Sequence, residues 1–218
     1  MKLLTRAPKH RLQDRLVWQS ASLLLAYPDD QRTERLDTVD ALLAPLTGRA
    51  AELLALTATQ ARASDPLRAA ADYVETFDLQ RRTTMYLTYW TAGDTRNRGS
   101  EMLAFAAAYR AAGVDPPRGE APDFLPVVLE FAATVDPEAG RRLLTEHRVP
   151  IDVLCKALTE MDSPYAHAVA AVCETLPAAT DLDIQRGRHL AMAGPPAEAV
   201  GLQPFTLTVP PRRAEGGR

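Results

Sequence analysis

Apolar residues recur along most of this chain at spacings of three and four, and nowhere in the first 178 residues do they alternate with polar ones. Leu16, Val17, Trp18, Ala21, Leu23, Leu24 and Leu25 predict a broadly apolar helix over residues 12–27, stopped by Pro28-Asp29-Asp30. Leu36, Val39, Leu42 and Leu43 predict a second helix ending near Pro45, and Leu53, Leu54 and Leu56 a third over residues 50–61, where alanine and leucine favour that state. Asp65-Pro66 then reads as a helix start, because the carboxylate can accept orphan amide protons and proline at the first helical position loses no bond. In that helix Tyr73, Val74 and Phe77 share one side while Asp72, Glu75 and Asp78 step round another, an apolar face beside an acidic one. A further helical pattern over residues 83–91 carries Met85, Tyr86, Leu87, Tyr89 and Trp90; it is aromatic on so many sides that it is either wholly buried or lines a groove. Asp94 or Thr95 can cap the next helix, with Met102, Leu103, Ala106 and Tyr109 as its apolar positions and Gly113 as its stop.

Residues 114–123, with three prolines and a glycine, form a stiff link to a second helical group. This group is expected over residues 124–135, with Pro126 in the first turn, and over 138–147, 151–161 and 165–176, the last with a stripe of Val169, Val172 and Leu176. The expected fold is all-α: a single-domain helical bundle of nine to ten helices over residues 1–178. The apolar period fails from Ala179, and the prolines at 195, 196, 204, 210 and 211 predict an extended or disordered tail over 179–218. Within that tail, residues 202–209 (LQPFTLTV) are apolar enough to dock on the body or on a partner.

A hydrophobic content of 46% with 24% charged residues reads as a globular protein. The chain has no run of about 18 apolar residues for a membrane span, and residues 1–11 carry positive charge without the roughly seven-residue apolar core of a secretory signal. The expected location is the cytoplasm, with no direct membrane insertion. The net charge of −3 is concentrated in the first 178 residues, which hold 20 basic and 24 acidic side chains. That balance argues against nucleic acid as partner, since counterion release needs clustered lysine and arginine, and suits a basic peptide.

Candidate chemistry is sparse. His10, His147, His167 and His189 form no metal-ligand spacing, Cys155 and Cys173 have neither CxxC spacing nor histidine neighbours, and no phosphate loop or nucleophile elbow occurs. No metal, cofactor or catalytic residue is therefore expected; a helical enzyme using paired carboxylates, such as Glu75, Asp78, Glu120 and Asp123, is the alternative from another class. Those carboxylates read equally as helix capping by Asp123 and solvated surface for the rest. Arg96 and Arg98 read as a solvated turn, as a clamp on Asp78 or Asp94, or as a contact for a partner; the clamp is preferred because guanidinium pairs bidentately with carboxylate.

The blocks Tyr73-Val74-Glu75-Thr76-Phe77-Asp78, Tyr86-Leu87-Thr88-Tyr89, Gly93-Asp94-Thr95-Arg96-x-Arg98-Gly99 and Pro122-Asp123-Phe124-Leu125-Pro126, in that order and spacing, resemble the assembly chaperones of respiratory nitrate reductase, the delta subunits of NarJ type within the redox-enzyme maturation chaperones. The resemblance covers about residues 11–178. It implies a cytoplasmic chaperone that binds the apo catalytic (alpha) subunit of membrane-bound nitrate reductase through its N-terminal segment and holds it for insertion of the molybdenum cofactor before membrane attachment. It further implies a peptide groove built from Tyr73, Glu75, Phe77, Asp78, Tyr86, Tyr89, Glu120, Asp123 and Phe124, with Asp94, Arg96 and Arg98 as a structural clamp. Direct contact with molybdenum cofactor biosynthesis proteins is left open. A sister chaperone for a dimethyl sulfoxide or trimethylamine N-oxide reductase is the rival reading; against it stand the GDTRxRG block and Phe124 where those relatives typically carry histidine.

Overall fold

The computed structural model describes residues 8–92, 96–116 and 118–194, with the side chains of 8–10, 96 and 97 left aside. Among the described residues it is helical with no strand. The elements are α1 (Pro8–Leu24), α2 (Arg32–Leu43), α3 (Arg49–Ala63), α4 (Pro66–Tyr73), α5 (Tyr89–Ala92), α6 (Arg96–Ala111), α7 (Leu125–Glu130), α8 (Pro137–Glu146), α9 (Arg148–Glu160), α10 (Ala166–Thr175) and α11 (Asp181–Ala193). Ten of these eleven helices lie within residues 1–178, where nine to ten were expected. Wide π turns continue α4 over Val74–Asp78 and α7 over Phe131–Val135.

Helix α1 lies at the centre, packed on α2, α3, α7 and α10, because its apolar sector is too broad for one neighbour: Val17, Trp18, Ala21, Leu24 and Leu25 are all buried. The Trp18 indole N–H donates to Thr175 Oγ1 at 2.8 Å, and the Arg141 guanidinium lies 4.9 Å from the centre of its ring while pairing with the buried Asp14. Such partners let a large amphipathic ring be enclosed without an orphaned donor. The Ser22 hydroxyl donates to the Pro126 carbonyl at 2.8 Å and ties α1 to the start of α7.

The local signals behave as their chemistry dictates. Asp65 accepts from the amides of Leu67 and Arg68 at 3.0 and 3.1 Å with Pro66 following it, and Asp136 repeats the device ahead of Pro137 with the amides of Glu138 and Ala139. Gly113, at φ +81°, follows α6 in the left-handed conformation. Gly140 is required by proximity instead, since a Cβ there would meet Cα and Cβ of Ala132 at 2.3 Å; α8 rests directly on the π turn of Phe131–Val135.

Two expectations need correction. Residues 83–91 do not form one helix: a short 3₁₀ turn over Arg81–Thr83 gives way to extended backbone, in which Tyr86 pairs antiparallel with Phe124, and only Tyr89–Ala92 is helical. Leu87 N donates to Asp123 O at 3.1 Å and Leu125 N to Met85 O at 2.9 Å, so partners some 40 residues away satisfy the backbone that a helix would have satisfied locally. The second correction concerns the tail, where residues 181–193 are helical. The apolar period is indeed absent, and no residue of α11 is buried. A capping box starts it instead: Thr180 Oγ1 accepts from Asp183 N while the Asp183 carboxylate accepts from Thr180 N at 2.9 Å. Helix α11 lies along α9, with Gly187 against Val149 and Val153. Residues 202–209 lie outside the described residues.

Candidate functional site

An open groove of about 500 Å³ runs between the end of α1, the π turn after α4, the extended Met85–Tyr86 segment and the start of α7. Its formation follows from three local departures from the helix. The π turn at Val74–Asp78 sets Phe77 against Tyr73, with ring centroids 4.8 Å apart, and leaves Asp78 exposed. The Tyr86–Phe124 pairing puts those two rings 5.2 Å apart on the opposite wall. Pro28 follows α1 and lets Tyr27 meet Tyr73 edge-on at 5.3 Å. The apolar floor is thus aromatic, with Met85, Pro126, Val127 and Leu23 filling between the rings.

The rim is acidic. Among the described residues, Asp29, Asp78, Glu120 and Glu130 line it against one cation, Arg35, which is already paired with Asp29 at 2.9 Å. The Arg35 hydrogen bond lowers the Asp29 carboxyl below its usual 3.8. The tyrosines register the same field: burial raises the Tyr86 phenol, with Glu120, Asp123 and Asp78 adding to the rise and Arg98 opposing it. Burial also raises Tyr73, whose hydroxyl donates to the Leu25 carbonyl at 3.2 Å, and again Asp78 and Glu120 contribute. An apolar floor with a net negative rim favours a short segment carrying both apolar and basic side chains.

Six of the nine expected groove residues meet here: Tyr73, Phe77, Asp78, Tyr86, Glu120 and Phe124. Glu75 is exposed off the groove, and Tyr89, half-buried, accepts from Arg81 Nε at 3.0 Å away from it. Asp123 requires the largest revision. It is fully enclosed, at 0% exposure, and its carboxylate is occupied by its own chain: Oδ2 accepts from Thr88 N at 3.1 Å and Thr88 Oγ1 at 2.6 Å, and Oδ1 from Arg98 Nη2 at 3.4 Å. It neither lines the groove nor caps α7, whose N-cap is Phe124 with no side-chain cap bond.

Among the described residues the clamp is made by Arg98 on Asp123 rather than on Asp78. Arg98 Nε also donates to Thr88 Oγ1 at 3.3 Å, and its guanidinium lies 4.8 Å from the centre of the Tyr86 ring. One cation thus holds the turn before α5, the turn before α7 and a groove-wall ring in register. Asp94 and the Arg96 side chain lie outside the described residues. Sequence reasoning missed Tyr27, Asp29, Arg35 and Glu130; Tyr27-Pro28-Asp29 had been visible only as a helix stop, and nothing local tied it to residues 73–86.

Among the described residues no three histidine, cysteine, aspartate or glutamate side chains gather as a metal site, and no helix is long and apolar enough to cross a membrane. Cys155 and Cys173 are free and half-buried on neighbouring helices, with Cys173 donating to Asp152 Oδ1 at 3.4 Å.

The family described as nitrate reductase delta subunit matches residues 40–171. The chain belongs to the nitrate reductase delta subunit family. Among its relatives, the nitrate reductase-like protein NarX of Mycobacterium tuberculosis is 66% identical over 160 residues, which are 73% of this chain and 24% of NarX, so the match spans about a quarter of that relative's length. The probable nitrate reductase molybdenum cofactor assembly chaperone NarJ of Bacillus subtilis is 34% identical over 166 residues, covering 74% of this chain and 90% of its own. A crystallised Archaeoglobus fulgidus chain described as a redox enzyme maturation protein shares the fold, with a TM-score of 0.54 at 24% identity over 80% of this chain and 98% of that one. Tyr73, Phe77, Asp78, Tyr86, Phe124 and the Arg98–Asp123 clamp fall in the blocks that carried the initial resemblance, whereas Tyr27, Asp29, Arg35, Glu120 and Glu130 lie outside them.

Proposed function

We propose that the chain is a maturation chaperone: it binds the apo catalytic subunit of a membrane-bound nitrate reductase in the cytoplasm and holds it for insertion of the molybdenum cofactor before membrane attachment. Membership of a family whose NarJ relatives are named as cofactor assembly chaperones supports the role. The observation that carries the binding mode is the groove itself, with an aromatic floor and an acidic rim in one cleft of a size usual for ligand sites. The N-terminal segment of the catalytic subunit is the proposed occupant. Its apolar side chains enter between Tyr73, Phe77, Tyr86 and Phe124, and its basic end lies along Asp78, Glu120 and Glu130. A flexible segment that becomes ordered on binding gives up part of the gross interaction free energy, which keeps the complex reversible; release is what a chaperone needs. The chain's contribution is to bind and shield, with no covalent step assigned to it.

The test is calorimetric titration of the full chain with a peptide from that N-terminus, beside Glu120→Gln and Asp78→Asn. Each variant removes one rim charge and is expected to weaken binding by about 0.5–1.5 kcal/mol, less at high salt, with melting unchanged. Wild-type affinity in both variants and in their combination would place the peptide elsewhere. A peptide from a dimethyl sulfoxide reductase bound equally well would remove the assignment to nitrate reductase.

A further inference from the structure

We propose that residues 202–213 of this same chain, LQPFTLTVPPRR, dock in the groove and compete with the client there. The inference rests on the reading of the groove as a peptide site and adds an internal regulator to it.

Three observations point to this occupant. The first is chemical complementarity. Phe205, Leu207 and Val209 alternate with Thr206 and Thr208, so an extended chain would put the three apolar side chains on one side, and Arg212 and Arg213 follow after Pro210-Pro211. The groove asks for that combination, with rings on its floor and four carboxylates against one paired arginine on its rim. Pro204, Pro210 and Pro211 disfavour a helix, leaving the segment free to lie extended between the walls.

The second observation is where the described chain leads. Ala191, near the end of α11, shares a small cleft with Arg82 and Trp90. Arg82 stands three residues before Met85 and four before Tyr86, both of which line the groove. Helix α11, which has no buried residue and hence no core stripe of its own, carries the chain to that side of the molecule.

The third is reach. From Gly194 to Leu202 an extended chain covers up to about 26–29 Å, and to Phe205 up to about 36–40 Å. Arg82 and Met85 can be no more than about 11 Å apart along the backbone, so the segment is long enough to arrive with residues to spare. Tethering converts docking into an intramolecular event at a high effective concentration, so even weak complementarity yields substantial occupancy. The client then binds with an apparent dissociation constant raised by the inverse of the open fraction. An empty chaperone would keep its apolar floor covered, and only a segment with better contacts would displace the cover.

Two measurements on the full chain decide it. Phe205→Ser combined with Leu207→Ser should tighten binding of the catalytic-subunit peptide by about three- to tenfold, the open fraction rising towards one. Phe205→p-benzoylphenylalanine, irradiated at low concentration without peptide, should crosslink within one molecule to Tyr73, Phe77, Tyr86 or Phe124, and excess peptide should suppress the crosslink. Crosslinks elsewhere, or none, together with an unchanged affinity in the double variant, would overturn the proposal. Crosslinks in the groove while the peptide binds neither protein would uphold the docked segment and overturn the client reading instead.

Discussion

Asp123 and Glu120 stand three residues apart in one turn, and substitution should separate them completely. Asp123→Asn keeps shape and one carbonyl oxygen. Facing that oxygen toward Thr88 preserves the two shorter bonds, from Thr88 N and Oγ1, but turns the amide NH₂ toward Arg98 Nη2, donor against donor across the 3.4 Å now bridged by a salt link. The loss is one charge-assisted bond of about 1.5–3 kcal/mol, and Arg98, with 19% of its side chain exposed, can recover part of it by turning to solvent. A fall of about 2 kcal/mol lowers the melting midpoint of a domain this size by about 4–8 °C. Asp123→Ala removes all three bonds and leaves the Arg98 charge without its partner, at about 3–5 kcal/mol. The assay is thermal and denaturant unfolding of both variants beside Glu120→Gln, which should melt like the wild type. Titration with client peptide should show the reverse order, with Glu120→Gln losing affinity and refolded Asp123→Asn losing less. If both Asp123 variants melt at the wild-type midpoint, the enclosed clamp is not holding the groove wall and the argument fails.

Two further outcomes test other parts of the fold. Gly140→Ala puts a methyl group 2.3 Å from Ala132 Cα, so α8 must move away from the π turn; denaturant unfolding should show a loss of about 1–3 kcal/mol, and a neutral substitution would mean the two elements are not in contact. Burial raises Tyr73, Tyr109 and Tyr165 above the ordinary phenol value of 10.0, Tyr165 to about 12. Since the unfolded phenol sheds its proton first, these groups stabilise fully below pH 10 and progressively less as pH rises toward 12. Phenolate absorbance should therefore show three of the six tyrosines titrating only with alkaline unfolding, and six titrating together near pH 10 in the folded protein would contradict their burial.

What was legible beforehand was whatever a few neighbouring residues settle among themselves. Asp65-Pro66 starts a helix because the carboxylate and the amides it accepts lie within three residues, and Gly113 ends one because the left-handed turn is a property of that residue. The placing of Tyr73 with Phe77 and of Asp78 beside them follows from helical spacing and survived the π turn. The all-α class followed from period alone.

The groove wall had no such local cause. Thr83–Thr91 carries a helical pattern, yet its backbone bonds to residues 123 and 125, and a hydrogen bond satisfied from a distance overrides a propensity of a few tenths of a kcal/mol per residue. Asp123 looked like a surface acid or a cap because its true partners, Thr88 and Arg98, are 35 and 25 residues away. Helix α11 was missed because an apolar stripe was sought, whereas its start depends on one capping box and its place on the flank of α9. Residue chemistry and spacing set the helices, their ends and the two faces of α4. Which carboxylates stay free on the groove and which is enclosed to hold its wall was decided in three dimensions, because burial and partnership of a charge depend on side chains that meet only once the chain has folded.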